Sequence, residues 1–222
     1  MHLNDKINNY KFYKCPYCLS CLSNQVKILK CENCKKEFHI ENDIAIFSLK
    51  KVLQEKGLYT KIFHSPKVYD LFVRIKHFFF RDKKIGLEKF ITDDTLLLNV
   101  GCGSNIDYQD GLEYNYKNLK SFFGCDLSKE FVFEASKNTK NIPKSNFSVC
   151  SIDRLPFAEN TFDIVLASFV LHHIPMPFNN IVEELNRVSK KYIVIYDHIK
   201  SDNIFKKKIQ EFYWKYFDGG EQ

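Results

Sequence analysis

The apolar residues of this chain follow two different patterns. From about residue 94 onward, five short runs are almost continuously apolar: Leu96–Val100, Phe122–Cys125, Phe147–Cys150, Phe162–Ala167 and Tyr192–Asp197. Runs of that length without alternation are expected of strands buried on both faces. Between them, Ser128–Asn138 and Asn179–Val188 space their apolar residues for helices, with Ser128 placed to cap the first. Alternation of strands and helices predicts an α/β fold, a doubly wound and mostly parallel Rossmann-like sheet, over 94–222. Residues 1–50 are different: rich in Cys and Lys, with β-like runs at Val26–Leu29 and Ile44–Phe47. A third segment, 51–93, bridges the two. Ser65-Pro66 is a good helix start, and Val68, Leu71, Phe72, Ile75 and Phe79 then recur near helical spacing. The interleaved Arg74, Lys76, Arg81, Lys83 and Lys84 make this helix basic. It is expected to pack on the main domain; a peripheral membrane contact is the other use of such a helix.

Composition narrows the class. Hydrophobic residues make up 45% and charged residues 27% of the chain, enough for a real core. The formal net charge of +6 permits a phosphate-rich partner without demanding one, and the Lys206–Lys208 run reads as a solvated face. No apolar run approaches the ~18 residues of a transmembrane helix. The first residues are polar, so no secretory leader is expected and the cytoplasm is the expected compartment.

Four of the eight cysteines form two pairs, Cys15-Pro-Tyr-Cys18 and Cys31-Glu-Asn-Cys34. Two residues between cysteines let both thiolates reach one ion, and two such knuckles complete a tetrahedral site. Zinc suits soft thiolates in that geometry. Four protein ligands close the site, which points to structure rather than catalysis, and metal binding would supply the folding free energy of so small a module. Cys21 and His39 are competing donors. The runs around these pairs, Lys14-Cys-Pro-Tyr-Cys18, Leu29-Lys-Cys-Glu-Asn-Cys34 and Phe38–Phe47, resemble a zinc ribbon of the kind found in the small activator subunit of several methyltransferases. They are more weakly similar to the zinc-binding head of a bacterial ribosomal-RNA guanine methyltransferase, which has a histidine where this chain has Cys34.

The strand Leu96–Val100 runs into Gly101-Cys-Gly-Ser-Asn105. Glycines at that point let the backbone turn sharply and approach a ligand closely. Asp126 ends the next strand, where nucleotide-binding sheets place an acid to hold ribose hydroxyls. Further on come Leu155-Pro-Phe157, Phe162-Asp163 and Leu171-His-His-Ile174. Together these motifs resemble class I S-adenosylmethionine-dependent methyltransferases, of the subgroup that includes quinone-biosynthesis C-methyltransferases. The resemblance implies S-adenosylmethionine as cofactor. Gly101, Cys102 and Gly103 would line its methionine part, Asp126 would bind the ribose, and Leu127, Ser151 and Ile152 would border the adenine. Ser168 would lie near the sulfonium. His173 is the candidate general base, with His172 the weaker one; shaping the loop is the competing role for both. Three positions depart from the family pattern: Asn99 for an acid, Asn105 for a glycine and Ser151 for an aspartate. Each retains hydrogen-bonding capacity, so cofactor binding is expected to survive.

Family members commonly end with an antiparallel hairpin. Here a helix-like stretch, Asn203–Phe217, and Asp218-Gly-Gly-Glu-Gln222 follow Asp197, so either a shortened C-terminal sheet edge, open to a partner subunit, or a truncated protein is expected. The resemblance implies a small-molecule methyl acceptor of lipid, quinone or sugar type, with Tyr59–Phe80 helping to form its pocket. The alternatives are RNA, guided by the ribbon, and a non-catalytic, partner-binding protein with a degenerate methyltransferase domain.

Overall fold

The computed structural model describes residues 8–47, 65–68, 71, 86–104, 118–139, 142, 144–174, 179–197, 204 and 208. Asn105 and nearly all of Tyr59–Phe80 and Asn203–Phe217 lie outside them; of the predicted bridging helix, a helical turn at Pro66–Val68 is seen after Ser65.

Four strands come first: β1 (Leu22–Gln25), β2 (Ile28–Cys31), β3 (Glu37–Glu41) and β4 (Ile44–Ile46). Then follow β5 (Leu96–Val100), β6 (Ser121–Asp126), helix α1 (Lys129–Asn138), β7 (Ser145–Val149), β8 (Phe162–Ser168), helix α2 (Asn179–Val188) and β9 (Ser189–Tyr196). The nine strands among the described residues form one sheet, in the order β1-β2-β3-β4-β7-β6-β5-β8-β9. The strands from β4 to β9 pair in parallel, while β1 to β4 form an antiparallel meander.

The continuous apolar runs are explained by this arrangement. Leu97, Phe122, Ile164 and Leu166 point to one face, where Val132 and Ala135 of α1 cover them. Leu98, Val100, Phe123, Val165 and Ala167 point to the other, beneath Ile181, Leu185 and Val188 of α2. Both faces are thus dry, and the sheet is doubly wound. The predicted Ser128 cap holds: its Oγ accepts from Phe131 N at 3.3 Å. Several predicted runs shift: β7 starts at Ser145 rather than Phe147, and β9 at Ser189 rather than Tyr192. Val26 is 91% exposed in the turn between β1 and β2, where Lys27 takes φ 68°, so the apolar character of Val26 belongs to no strand.

The ribbon is not a bead on a string. Its last strand extends the main sheet: β4 pairs with β7 through Ala45–Ser148 and Ile46–Val149, and Phe47 N donates to Val149 O at 2.8 Å. Tyr13 bridges to Phe157 and stacks on its ring at 5.3 Å, while Phe12 meets Phe123 edge-on at 5.2 Å. Ribbon side chains Tyr13, Leu29, Phe38 and Phe47 therefore belong to the same buried cluster as Phe123, Phe157 and Phe162. Among the described residues, no helix is long and apolar enough to cross a membrane.

Candidate functional site at the strand ends

From β5 the chain moves to β6 and β7 on one side and returns to β8 and β9 on the other. Open α/β sheets bind ligands outside the carboxyl ends of the strands at such a switch point. The predicted residues gather there. Val100 leads into Gly101 at φ 64° and Gly103 at φ 61°, the left-handed region that glycine enters freely. Gly101 also has no room for a side chain: a Cβ there would lie 2.3 Å from Val170 Cγ2. Gly101→Ala is therefore expected to cost about 2–4 kcal/mol, combining left-handed strain with overpacking, as a denaturant titration would measure.

Asp126 stands against this turn. One carboxylate oxygen accepts from Gly103 N at 3.1 Å and the other from Ser128 N at 2.9 Å. Burial raises its pKa above the usual aspartate value, opposed by the N–H groups of Ser128, Gly103 and Leu127. Backbone bonds lace the neighbouring strand ends together: Cys102 N to Cys125 O at 3.0 Å and Cys150 N to Asp126 O at 3.0 Å. Leu127, Ser151 and Ile152 border this corner, each half-buried. Asn99 is fully buried inside β5, between Gly124 and Leu166. Ser168 closes β8 and is buried, its Oγ lacking a hydrogen-bond partner.

The histidines divide. His173 is exposed, with its ring 4.0 Å from that of His172. His172 is turned inward, with Nδ1 2.6 Å from Asp197 Oδ1.

Three residues outside the predicted set anchor the motifs. Glu184 on α2 accepts from Leu155 N at 2.6 Å, and Arg187 donates to Phe157 O at 2.7 Å and Leu155 O at 3.0 Å. The pair is itself bridged at 2.7 Å, so one turn of helix pins the Leu155–Phe157 loop. Asp197, just past β9, anchors the turn after β8. A Glu and an Arg at i,i+3 were visible in the sequence, but their backbone targets were not.

The four cysteines of the ribbon converge, their Sγ atoms all within 4.8 Å of one another. Cys15 and Cys34 are 3.5 Å apart and Cys18 and Cys31 3.4 Å. Zinc bound by four thiolates at about 2.3 Å needs sulfur–sulfur edges of about 3.8 Å, so these two edges would lengthen slightly around the ion. The two knuckles repeat one device. Leu19 and Lys35 each adopt positive φ after the second cysteine and donate N–H to the carbonyl of the first, at 2.8 and 3.1 Å. Hydrogen bonds from Ser20 lower the Cys18 thiol to about 6, favouring a thiolate. Cys21 and His39, the competing donors, lie outside the cluster: Cys21 is met by Lys14 Nζ at 3.1 Å, and His39 is exposed on β3.

Residues 98–195 match the family model of the methyltransferase domain. This segment is a methyltransferase domain. Solved structures share its fold. The YcgJ protein from Bacillus subtilis superposes with a TM-score of 0.50 at 22% identity, over 61% of this chain and 59% of that one. A SAM-dependent methyltransferase from Aquifex aeolicus gives 0.50 at 23%, over 63% and 76%. An uncharacterised protein of Methanocaldococcus jannaschii is 29% identical over 134 residues, 59% of this chain. The chain spans about half the length of that curated relative, 52%.

Proposed function

We propose that the methyltransferase domain transfers a methyl group from S-adenosylmethionine to a small-molecule acceptor of lipid, quinone or sugar type. The observation that carries this reading is the carboxylate of Asp126, bonded directly to the glycine turn at Gly103. An acid and a side-chain-free backbone turn at adjoining strand ends are what an adenosyl ligand requires. Asp126 Oδ2 and Oδ1 accept from Gly103 N and Ser128 N, and a carboxylate's remaining acceptor capacity would take ribose hydroxyls. Gly101, Cys102 and Gly103 would present backbone to the methionine end, above the buried Asn99. Leu127, Ser151 and Ile152 would hold the adenine. Ser168, buried at the end of β8, would stand by the reacting end.

Bound there, the cofactor supplies an electrophilic sulfonium methyl. The chain's own part is orientation and exclusion of water, which need no nucleophilic side chain. His173, exposed on the turn after β8, would be the group to take a proton from an acceptor. For the four-cysteine cluster we propose structural zinc.

Incubation with tritiated S-adenosylmethionine and a fractionated cell extract tests the reading. Label is expected in the organic-soluble or small-molecule fraction. Label that disappears on nuclease treatment would make RNA the acceptor, and no label in any fraction would leave the non-catalytic alternative standing.

A further inference from the structure

The turn that ends β8 adopts a conformation its sequence does not favour. Phe169 has φ 50°, a region strained for a bulky L-residue. Such outliers persist only when their surroundings over-determine them, and they gather at functional sites. Phe169 N donates to Tyr196 O at 2.7 Å, and the two rings meet edge to face at 5.0 Å. Asp197 then holds the next two residues. Its Oδ2 accepts from Leu171 N at 2.9 Å and His172 N at 3.3 Å, and its Oδ1 faces His172 Nδ1 at 2.6 Å. Both side chains are only 15% exposed, so water competes weakly for these bonds. Asp197 lies beyond the paired residues of β9, so the sheet itself does not require an acid there. Between Phe169 and Leu171 sits Val170, pressed onto Gly101.

We propose that Asp197 is a positioning residue: together with His172 it clamps the strained turn, so that Val170 shapes the methionine end of the cofactor site at Gly101. The inference rests on the reading of Gly101–Gly103 as the cradle for that end. It makes a demand that a plain structural acid would not. Loss of the clamp should weaken ligands that reach Gly101 and spare ligands that stop at the adenosine.

Calorimetry with two probes separates the cases. S-adenosylhomocysteine carries the amino-acid arm; 5′-methylthioadenosine has the same adenosine and sulfur without it. Asp197→Asn is expected to weaken the first by ~10-fold or more, through loss of charge-assisted bonds, and the second by less than ~2-fold. Adding Phe169→Gly should restore S-adenosylhomocysteine to within ~3-fold of wild type, because glycine accepts positive φ without a clamp. His172→Gln leaves the two backbone bonds to Asp197 in place and should give the same split at ~3-fold. It carries the test if Asp197→Asn does not fold. Equal weakening of both probes, no weakening of either, or failure of the glycine rescue would overturn the clamp. A wild-type protein that binds neither probe would instead overturn the cofactor reading beneath it.

Discussion

Asp126→Ala is expected to abolish measurable S-adenosylmethionine binding. A carboxylate accepting two ribose hydroxyls makes two hydrogen bonds to a charged group, each contributing about 1.5–3 kcal/mol, so ~10²–10⁴-fold in affinity is at stake. The same substitution strips Gly103 N of its acceptor, which loosens the turn on the methionine side. Asp126→Asn is the sharper control, because an amide offers one oxygen where the turn and Ser128 use two. The pH dependence follows from the raised carboxyl pKa. Only the ionised acid accepts from both hydroxyls, so affinity should fall on acidification from a pH above the ordinary aspartate value. Stability of the ligand-free protein moves the other way. A folded-state pKa above the unfolded one contributes stability that is present below the unfolded pKa and lost as pH rises through the folded one. Wild-type stability, measured relative to Asp126→Asn, should therefore decline across that window as pH rises. Titration calorimetry and denaturant unfolding at several pH values check both halves. Unchanged affinity in Asp126→Ala would remove the central contact of the proposed function.

What was legible in the sequence follows a physical division. Strands β5, β6 and β8 could be placed because burial on both faces leaves mostly apolar residues, and such runs are hard to mistake, whereas β7 opens with Ser145 and Asn146 and shows its apolar character only from Phe147. The start of β9 was less legible, since it opens with the polar Ser189, Lys190 and Lys191, and the register shifts between the Phe162–Ser189 and Ile164–Tyr192 pairs. Val26 misled for the converse reason: an apolar residue in a turn looks like a strand residue when only runs are read. Gly101, Gly103 and Asp126 announced themselves because turn chemistry and spacing constrain residue type directly. Asp197, Glu184 and Arg187 did not. Their partners are mainly backbone groups of distant loops, and a backbone N–H or C=O leaves no mark on the sequence. The docking of the ribbon was hidden likewise. The cysteine spacing located the cluster, but nothing in Ile44–Ile46 says that this strand will run beside Ser145–Val149.

Metal removal is expected to damage the methyltransferase domain as well as the ribbon. Structural zinc sites of four thiolates provide apparent binding free energies of about 10–16 kcal/mol in small peptides, comparable with the whole stability of a domain at about 5–15 kcal/mol. Without the proposed ion, Cys15 and Cys31 become two buried thiols with no metal to hold the knuckles together. The loss does not stop at residue 47, because Tyr13, Leu29, Phe38 and Phe47 share their cluster with Phe123, Phe157 and Phe162. Unfolding β1 to β4 also bares β7 as an unpaired edge, and unpaired edges template aggregation. Chelation, or Cys31→Ala, should therefore lower Tm by ~10 °C or more, given ~2–4 °C per kcal/mol for a chain of this size. Thiol labelling reads where the damage goes. Cys125 and Cys150 are buried in the cluster that the ribbon completes. They should become reactive in step with the four ligand cysteines as chelator is added. Continued protection of Cys125 and Cys150 after the ligand cysteines have all been modified would mean that the ribbon melts alone. The continuous sheet would then be two units that merely touch.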